Sequence, residues 1–262
     1  MDTLNVIKIG GNIIDSPKEL QDFLASFSKL EGHNILVHGG GKTATHMADL
    51  LQLKTKMIDG RRITDDQTID VVTMTYGGLI NKQIVSQLQS LGTNALGLTG
   101  ADGNLISANK RPEQNGIDYG WVGDPTSVNA NWMDDLIRNG LVPVIAPLTH
   151  DGYGNILNTN ADTIASVIAI AMSDHFEVSL TYCFELNGVL KKIDDPGSVI
   201  RELTQDSYES YKQDGSISSG MIPKLDNAFE AIKGGVKSVQ IMSWKSISNL
   251  QKMDSNEYTS IK

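Results

Sequence analysis

Alternating strand and helix patterns along these 262 residues predict an α/β protein built on a central, mostly parallel sheet. Six short runs are apolar at nearly consecutive positions, which is typical of parallel strands that are covered on both faces. Strand–helix–strand units pack with right-handed crossovers, so we expect a three-layer sandwich with helices on either side of the sheet. The predicted strands are Leu4–Ile9, Asn34–His38, Asn94–Thr99, Val142–Ala146, Glu177–Tyr182 and Ser238–Met242.

Helices are expected wherever apolar residues recur three and four positions apart between these strands. The predicted helices are Pro17–Leu30, Lys42–Leu51, Gln67–Leu91, Ala130–Asn139, Ala161–Met172, Gln205–Gln213 and Met221–Lys233.

Two segments leave the alternation and are expected to form antiparallel excursions from the sheet. Lys54–Thr64 has strand character on either side of Asp59-Gly60, a pair that favours a hairpin turn. Leu105–Val128 is polar and carries Gly and Pro turn signals. Such loops often build ligand sites. We expect one domain over residues 1–262, with an N-lobe of about residues 1–175 and a C-lobe of about residues 176–262.

Composition excludes several functional classes. The formal net charge is −9 and the pI is about 5.0, which argues against a nucleic-acid-binding protein because such proteins carry a basic face. No signal peptide and no run of about 20 apolar residues is present, so we expect a cytoplasmic protein without a membrane partner. Cys183 is the only cysteine and lies in an apolar strand, which predicts a buried structural thiol.

Two of the predicted strands end in glycines, Gly10-Gly11 after the first and Gly39–Gly41 after the second. Bare amides at the carboxyl ends of parallel strands can bind phosphate or carboxylate oxygens, although tight turns without a ligand also use glycine. Lys8 lies inside the first apolar strand, where a charge is costly unless it is paired or functional. The Walker pattern fails, because Leu36 stands where its first glycine is required.

The second half of the chain carries complementary polar groups. Asn158 and Asn160 precede Asp162 at the start of an apolar helix, where Asn160 could simply be an N-cap. Lys224 falls in the first turn of the last predicted helix. That end of a helix already carries partial positive charge, so a bound anion would resolve the misfit; the alternative is a solvated surface lysine.

These segments occur together in the order and with the spacing of one known family. They are Ile7–Gly11, His38–Gly41, Gly60–Thr64, Asn81-Lys82, Asn158–Asp162 and Ser219–Lys224. On them the chain, from residue 4 to about 245, resembles the amino acid kinase family, which has a carbamate-kinase-like fold. Within that family it resembles the branch that phosphorylates the side-chain carboxylate of N-acetyl-L-glutamate, the second step of arginine biosynthesis.

The resemblance implies roles for individual residues. Catalysis would rest on Lys8, Lys224, Asp162 and Gly11. The acylated amino acid would bind Gly40, Gly41, Arg62 and Asn158 in the N-lobe. ATP would lie on the C-lobe, against Gly10, Glu185, Gly188, Leu190, Ser218, Gly220 and Met221. Glu185 departs from the family pattern, in which Ser-Asp follows this strand. Mg²⁺ is expected with ATP, held largely by phosphates and water, so no protein ligand is assigned.

The oligomeric state and the identity of the substrate each have alternative interpretations. Members inhibited by arginine carry an additional N-terminal helix that this sequence lacks, so we expect a homodimer through Gln67–Leu91 without strong arginine feedback. The rival substrates are N-succinyl-L-glutamate, for which a further cation would be needed, or another small acid. A non-catalytic sensor that uses the same cleft is the rival of another class.

Overall fold

A central eight-stranded sheet organises the molecule. The computed structural model describes residues 1–58, 61–192, 194–217, 220–250 and 258–262. The strands in chain order are β1 (Thr3–Ile9), β2 (His33–His38), β3 (Met57–Ile58), β4 (Arg61–Arg62), β5 (Ala95–Leu98), β6 (Ile106–Lys110), β7 (Gly123–Val128), β8 (Val142–Ile145), β9 (Leu148–His150), β10 (Ile156–Asn158), β11 (Glu177–Phe184), β12 (Glu202–Leu203), β13 (Ser238–Ser243) and β14 (Tyr258–Ile261).

All six predicted strands lie in this sheet, whose order is β12-β14-β13-β11-β1-β2-β8-β5. These six strands pair with one another in parallel, which confirms the predicted mostly parallel sheet. Among the described residues of this sheet, the one antiparallel pairing joins β13 to β14. β12 and β14, at one edge of the sheet, were not predicted. They span two and four residues, too few for a periodic pattern to develop.

Apart from Gly11–Asp15, which was not predicted, the helices follow the predicted alternation with small shifts at their ends. They are α1 (Gly11–Asp15), α2 (Pro17–Phe27), α3 (Gly41–Leu50), α4 (Asp66–Val72), α5 (Asn81–Ser90), α6 (Ala130–Arg138), α7 (Ala161–Met172), α8 (Gln205–Gln213) and α9 (Ile222–Lys233), with 3₁₀ turns at Asp102–Asn104 and Trp244–Asn249. No helix in the described ranges is long and apolar enough to cross a membrane.

The predicted long helix Gln67–Leu91 is not α-helical throughout. Its middle, Thr73–Ile80, is a π-helix between α4 and α5. An apolar pattern of period 3.6 does not reveal a π-helical segment, because a π-helix also buries one face. Its wider turn changes the direction in which the side chains of the following helix point.

Alternation along β1 assigns its side chains to two cores, one on each face of the sheet. Leu4 and Val6 pack with α6, α7 and α9, whereas Ile7 and Ile9 pack with α1, α2 and α5. Lys8 has the parity of Leu4 and Val6, so its side chain lies on the α7 and α9 face.

The two predicted excursions are antiparallel, as expected. β3 pairs with β4, although the Asp59-Gly60 turn that motivated the prediction lies outside the described residues. β6 pairs with β7 in a second, four-stranded sheet of order β10-β9-β6-β7. Cys183 is buried, and burial raises the pKa of its thiol to about 12, which fits the expected structural role.

Candidate active site

The two glycine loops lie side by side because β1 and β2 are parallel neighbours that end at the same edge of the sheet. The amide of Gly39 donates to the carbonyl of Ile9 at 3.2 Å. A Cβ added to Gly11 would lie 3.9 Å from the amide nitrogen of Gly41. The loops therefore form one surface of bare backbone.

Two lysines meet one carboxylate next to these loops. The ammonium of Lys8 lies 2.7 Å from Asp162 Oδ1, and the ammonium of Lys224 lies 2.9 and 2.8 Å from Asp162 Oδ1 and Oδ2. The three side chains are only 10 to 15 % exposed. The side chain of Tyr182 lies beneath them, with its ring centroid 5.3 Å from Lys224 Nζ. The Asp162 carboxylate is thus an anion that offsets the unfavourable position of Lys224 at the N-terminus of its helix.

Burial and charge act in opposite directions on this cluster. Burial by itself raises the pKa of the Asp162 carboxyl, but the ammonium groups of Lys8 and Lys224 outweigh it and hold that pKa well below its usual range. Burial, followed by repulsion from Lys8, lowers the pKa of Lys224 to about 8 although Asp162 opposes both effects. The Asp162 carboxylate is therefore ionised at neutral pH, and the charge on Lys224 depends on nearby anions.

Local structure holds each member of the cluster in place. Asn160 is the N-cap of α7 and accepts from the amides of Asp162 and Thr163 at 2.7 and 3.3 Å. The N-cap alternative for Asn160 is therefore correct. Pro223 in the first turn fixes the start of α9, so that Lys224 points from its N-terminus towards α7.

A cavity of about 380 Å³ opens beside the cluster. The residues that flank Asp162 in the chain, Ala161 and Thr163, line it, as does Pro223 next to Lys224. The four residues that the resemblance assigned to the substrate line this one cavity: Gly40, Gly41, Arg62 and Asn158.

Arg62 and Asn158 are each fixed by hydrogen bonds. The Arg62 guanidinium is buried and donates to the Gly41 carbonyl at 2.8 Å and to the Thr45 hydroxyl at 2.9 Å. Asn158 Nδ2 donates to the Thr64 hydroxyl at 3.0 Å. Arg62 therefore ties the β3–β4 hairpin to the glycine loop that begins α3.

A smaller cavity of about 50 Å³ lies in the C-terminal part of the chain. Of the residues expected to bind nucleotide, Gly188, Leu190 and Met221 line it. Glu185 and Gly220 are exposed and do not line it, and Ser218 lies outside the described residues. Met221 and Pro223 line the smaller and the larger cavity respectively, so the start of α9 extends between the two.

Arg61 and Tyr76 also line this cavity, as does Arg111, which was not singled out from the sequence. Arg111 Nε donates to both carboxylate oxygens of Asp124 at 3.1 Å, and its guanidinium lies 5.7 Å from the centre of the Tyr119 ring. It belongs to the segment Leu105–Val128, which was expected to build a ligand site. No spacing in the sequence distinguishes it from a surface arginine.

Comparison with known proteins gives consistent results. A family model described as "Amino acid kinase family" matches residues 3–243. An acetylglutamate kinase of Cytophaga hutchinsonii is 54% identical over 250 residues, covering 95% of this chain and 95% of that protein. An acetylglutamate kinase of Bacteroides thetaiotaomicron is 56% identical over 238 residues, covering 91% of this chain and 92% of that protein.

Solved structures share the fold at much lower identity. Carbamate kinase from Giardia lamblia superposes with a TM-score of 0.73 at 14% identity, covering 99% of this chain and 98% of that one. At this identity the likeness shows the fold alone.

Proposed function

The chain belongs to the amino acid kinase family, and we propose from this premise that Lys8, Asp162 and Lys224 form its phosphoryl-transfer centre. The chain is an enzyme that uses ATP to phosphorylate the side-chain carboxylate of N-acetyl-L-glutamate, a reaction of arginine biosynthesis. The observation that carries the catalytic assignment is the pair of buried ammonium groups on one carboxylate, beside a cavity lined by glycine backbone.

Phosphoryl transfer depends on positioning and on neutralising charge more than on covalent help from the protein. In this proposal Lys8 contacts the transferred phosphoryl group from β1, and Lys224 reaches it from α9. Asp162 keeps both ammonium groups charged and at a fixed separation. The amides of Gly11, Gly40 and Gly41 add neutral donors at the edge of the sheet.

The substrate lies in the larger cavity. The Arg62 guanidinium binds its α-carboxylate, a planar anion that suits a guanidinium fork, and Asn158 hydrogen-bonds the amino-acid portion. The attacking group is a carboxylate with an ordinary pKa near 4, so it is already ionised at neutral pH and no general base is required.

The nucleotide lies over the C-terminal part, with Gly188, Leu190 and Met221 around its smaller cavity and Gly10 at the end of β1. Within the described residues, no group of three or more His, Cys, Asp or Glu side chains is placed to hold a metal ion. We infer that Mg²⁺ arrives on the nucleotide phosphates, as this ion commonly does, and adds charge neutralisation there. The cytoplasm is the proposed compartment, because it supplies ATP.

A coupled assay of ADP release tests the activity. We expect the highest kcat/KM with N-acetyl-L-glutamate, because the relatives at more than 50% identity are acetylglutamate kinases, and lower values with N-succinyl-L-glutamate. L-Glutamate and L-aspartate should give much lower values because they lack the acyl group that the cavity is proposed to hold. A preference for the succinyl compound would contradict the acyl assignment. ADP release with none of the four would favour the non-catalytic sensor.

The proposed homodimer forms through the helical segment Asp66–Ser90. Met74 and Leu79 within it are 57% and 41% exposed, an apolar surface that a second copy would cover. Light scattering should give twice 28.4 kDa, and Met74→Glu should shift the mass towards the monomer. Tyr153→Glu, at a site that is 92% exposed outside this segment, should not. A monomeric or hexameric wild type would contradict the proposal.

A further inference from the structure

A buried polar network lies behind the second glycine loop and takes no part in the chemistry described above. His38 at the end of β2 is fully buried, and so is Asn81 at the start of α5. His38 Nδ1 lies 2.8 Å from the Gly39 carbonyl, and His38 Nε2 lies 3.2 Å from Asn81 Nδ2. Buried polar groups of this kind fix a structure when every one of them is satisfied.

The partners of Asn81 determine the orientation of its amide. Lys82 Nζ lies 3.0 Å from Asn81 Oδ1 and can only donate, whereas the Val144 carbonyl lies 2.9 Å from Asn81 Nδ2 and can only accept. The second hydrogen of Nδ2 therefore faces His38 Nε2. A Cβ on Gly97 would lie 2.0 Å from Asn81 Oδ1, so glycine at that position in β5 makes the arrangement possible.

This chain of partners fixes the histidine tautomer. Nε2 must accept from Asn81, so it carries no hydrogen, and Nδ1 carries the hydrogen of the neutral ring. Nδ1–H then donates to the Gly39 carbonyl. Burial lowers the pKa of His38 to about 4, against the favourable hydrogen bond to Gly39, so the ring is neutral at physiological pH.

Anchoring the Gly39 carbonyl sets the direction of the next amide. In a trans peptide the C=O and N–H bonds point to opposite sides, so the Gly40 N–H points away from the His38 ring. No backbone hydrogen bond within the described ranges uses this N–H. Gly40 lines the substrate cavity, and Ile80 closes off its other side, because a Cβ on Gly40 would lie 2.3 Å from Ile80 Cδ1.

We propose that His38 and Asn81 are positioning residues for phosphoryl transfer, which hold the Gly39–Gly40 peptide so that the Gly40 amide donates into the cleft. The inference rests on the proposed function, since the oxygen that receives this hydrogen bond belongs to the substrate or to the transferred phosphoryl group. A preorganised donor aimed at developing charge contributes to the rate without reorganisation at the moment of reaction.

Two isosteric substitutions separate the positioning role from simple packing. In His38→Asn the side-chain nitrogen takes roughly the place of Nδ1 and can still donate to Gly39. In His38→Gln the side-chain nitrogen takes roughly the place of Nε2 and cannot donate to the Gly39 carbonyl. We expect kcat to stay within about fivefold of wild type for His38→Asn and to fall about 30-fold for His38→Gln, less than the ~10²–10³ for removing a donor outright. KM for ATP should change little in both.

Asn81→Leu should lower kcat as His38→Gln does, because it releases the ring, and His46→Asn on the exposed face of α3 is the matched control. Equal kcat for His38→Asn and His38→Gln, whether both low or both at the wild-type value, would overturn the inference. If the wild-type protein did not phosphorylate N-acetyl-L-glutamate, the proposed function itself would be overturned. Should the variants not fold, ¹⁵N NMR of the wild-type imidazole at pH 7 decides: a protonated Nδ1 supports the inference, and a protonated Nε2 contradicts it.

Discussion

Replacing Asp162 with asparagine is expected to lower kcat by about 10³-fold, at the upper end of what one preorganised electrostatic group contributes. The asparagine oxygen can accept from one ammonium, but its NH₂ group then faces the other. Lys8 and Lys224 would repel each other without a counter-charge in a site where each side chain is at most 15% exposed. Removing one partner of a buried ionic group also lowers the free energy of unfolding, by about 3 kcal/mol.

The pH profile of Asp162→Asn should change in a defined direction. Lys224 functions as an ammonium, so kcat/KM falls as pH rises through its pKa, which burial and Lys8 already lower to about 8. Asp162 raises that pKa, so its removal moves the alkaline limb to lower pH. Asp22→Asn, in the exposed pair with Lys18, is the control and should leave both kcat and the profile unchanged. If kcat of Asp162→Asn stayed within tenfold of wild type, Asp162 would not be part of the phosphoryl-transfer centre.

Replacing Lys8 with arginine should lower kcat by about 10²-fold while the fold is retained, because misplacement of a catalytic group by about 1 Å costs roughly this much. Lys8 lies in the sheet between Val37 and Tyr182 on the neighbouring strands, where a longer, planar guanidinium cannot place its charge where the ammonium was. It can still pair with Asp162, so the thermal unfolding midpoint should fall only slightly.

Steady-state kinetics with calorimetry test this prediction. Lys18→Arg, at a side chain that is 85% exposed, is the matched control for the same chemical change and should leave kcat and the unfolding midpoint unchanged. A wild-type kcat in Lys8→Arg would mean that the transferred phosphoryl group does not contact Lys8. A large drop in the midpoint would mean that the lysine is structural.

Part of the candidate site could be predicted from local sequence. A lysine inside an apolar strand is unfavourable unless it is paired or functional, so Lys8 was recognisable at once. The position of Lys224 in the first turn of a helix indicated an anion nearby, but it also suited a solvated surface lysine. The glycine loops were recognisable for a similar reason, since strand ends without side chains expose backbone donors. The orientation of Glu185 could not be predicted from the sequence, because a turn after a strand has no periodic pattern. In the structure Glu185 is exposed and lies outside the smaller cavity.

The sequence alone determined the parallel sheet, its six main strands and the parity that directs Lys8 to one face, because hydrophobic periodicity and strand alternation are local properties of the chain. The tertiary structure decided which groups meet. It brought Asp162 to within 2.7 Å of Lys8 across 154 residues of chain, inserted the π-helical Thr73–Ile80, and packed Asn81 against His38. Such contacts depend on helix rotation and strand order, which only the packing of the whole chain fixes.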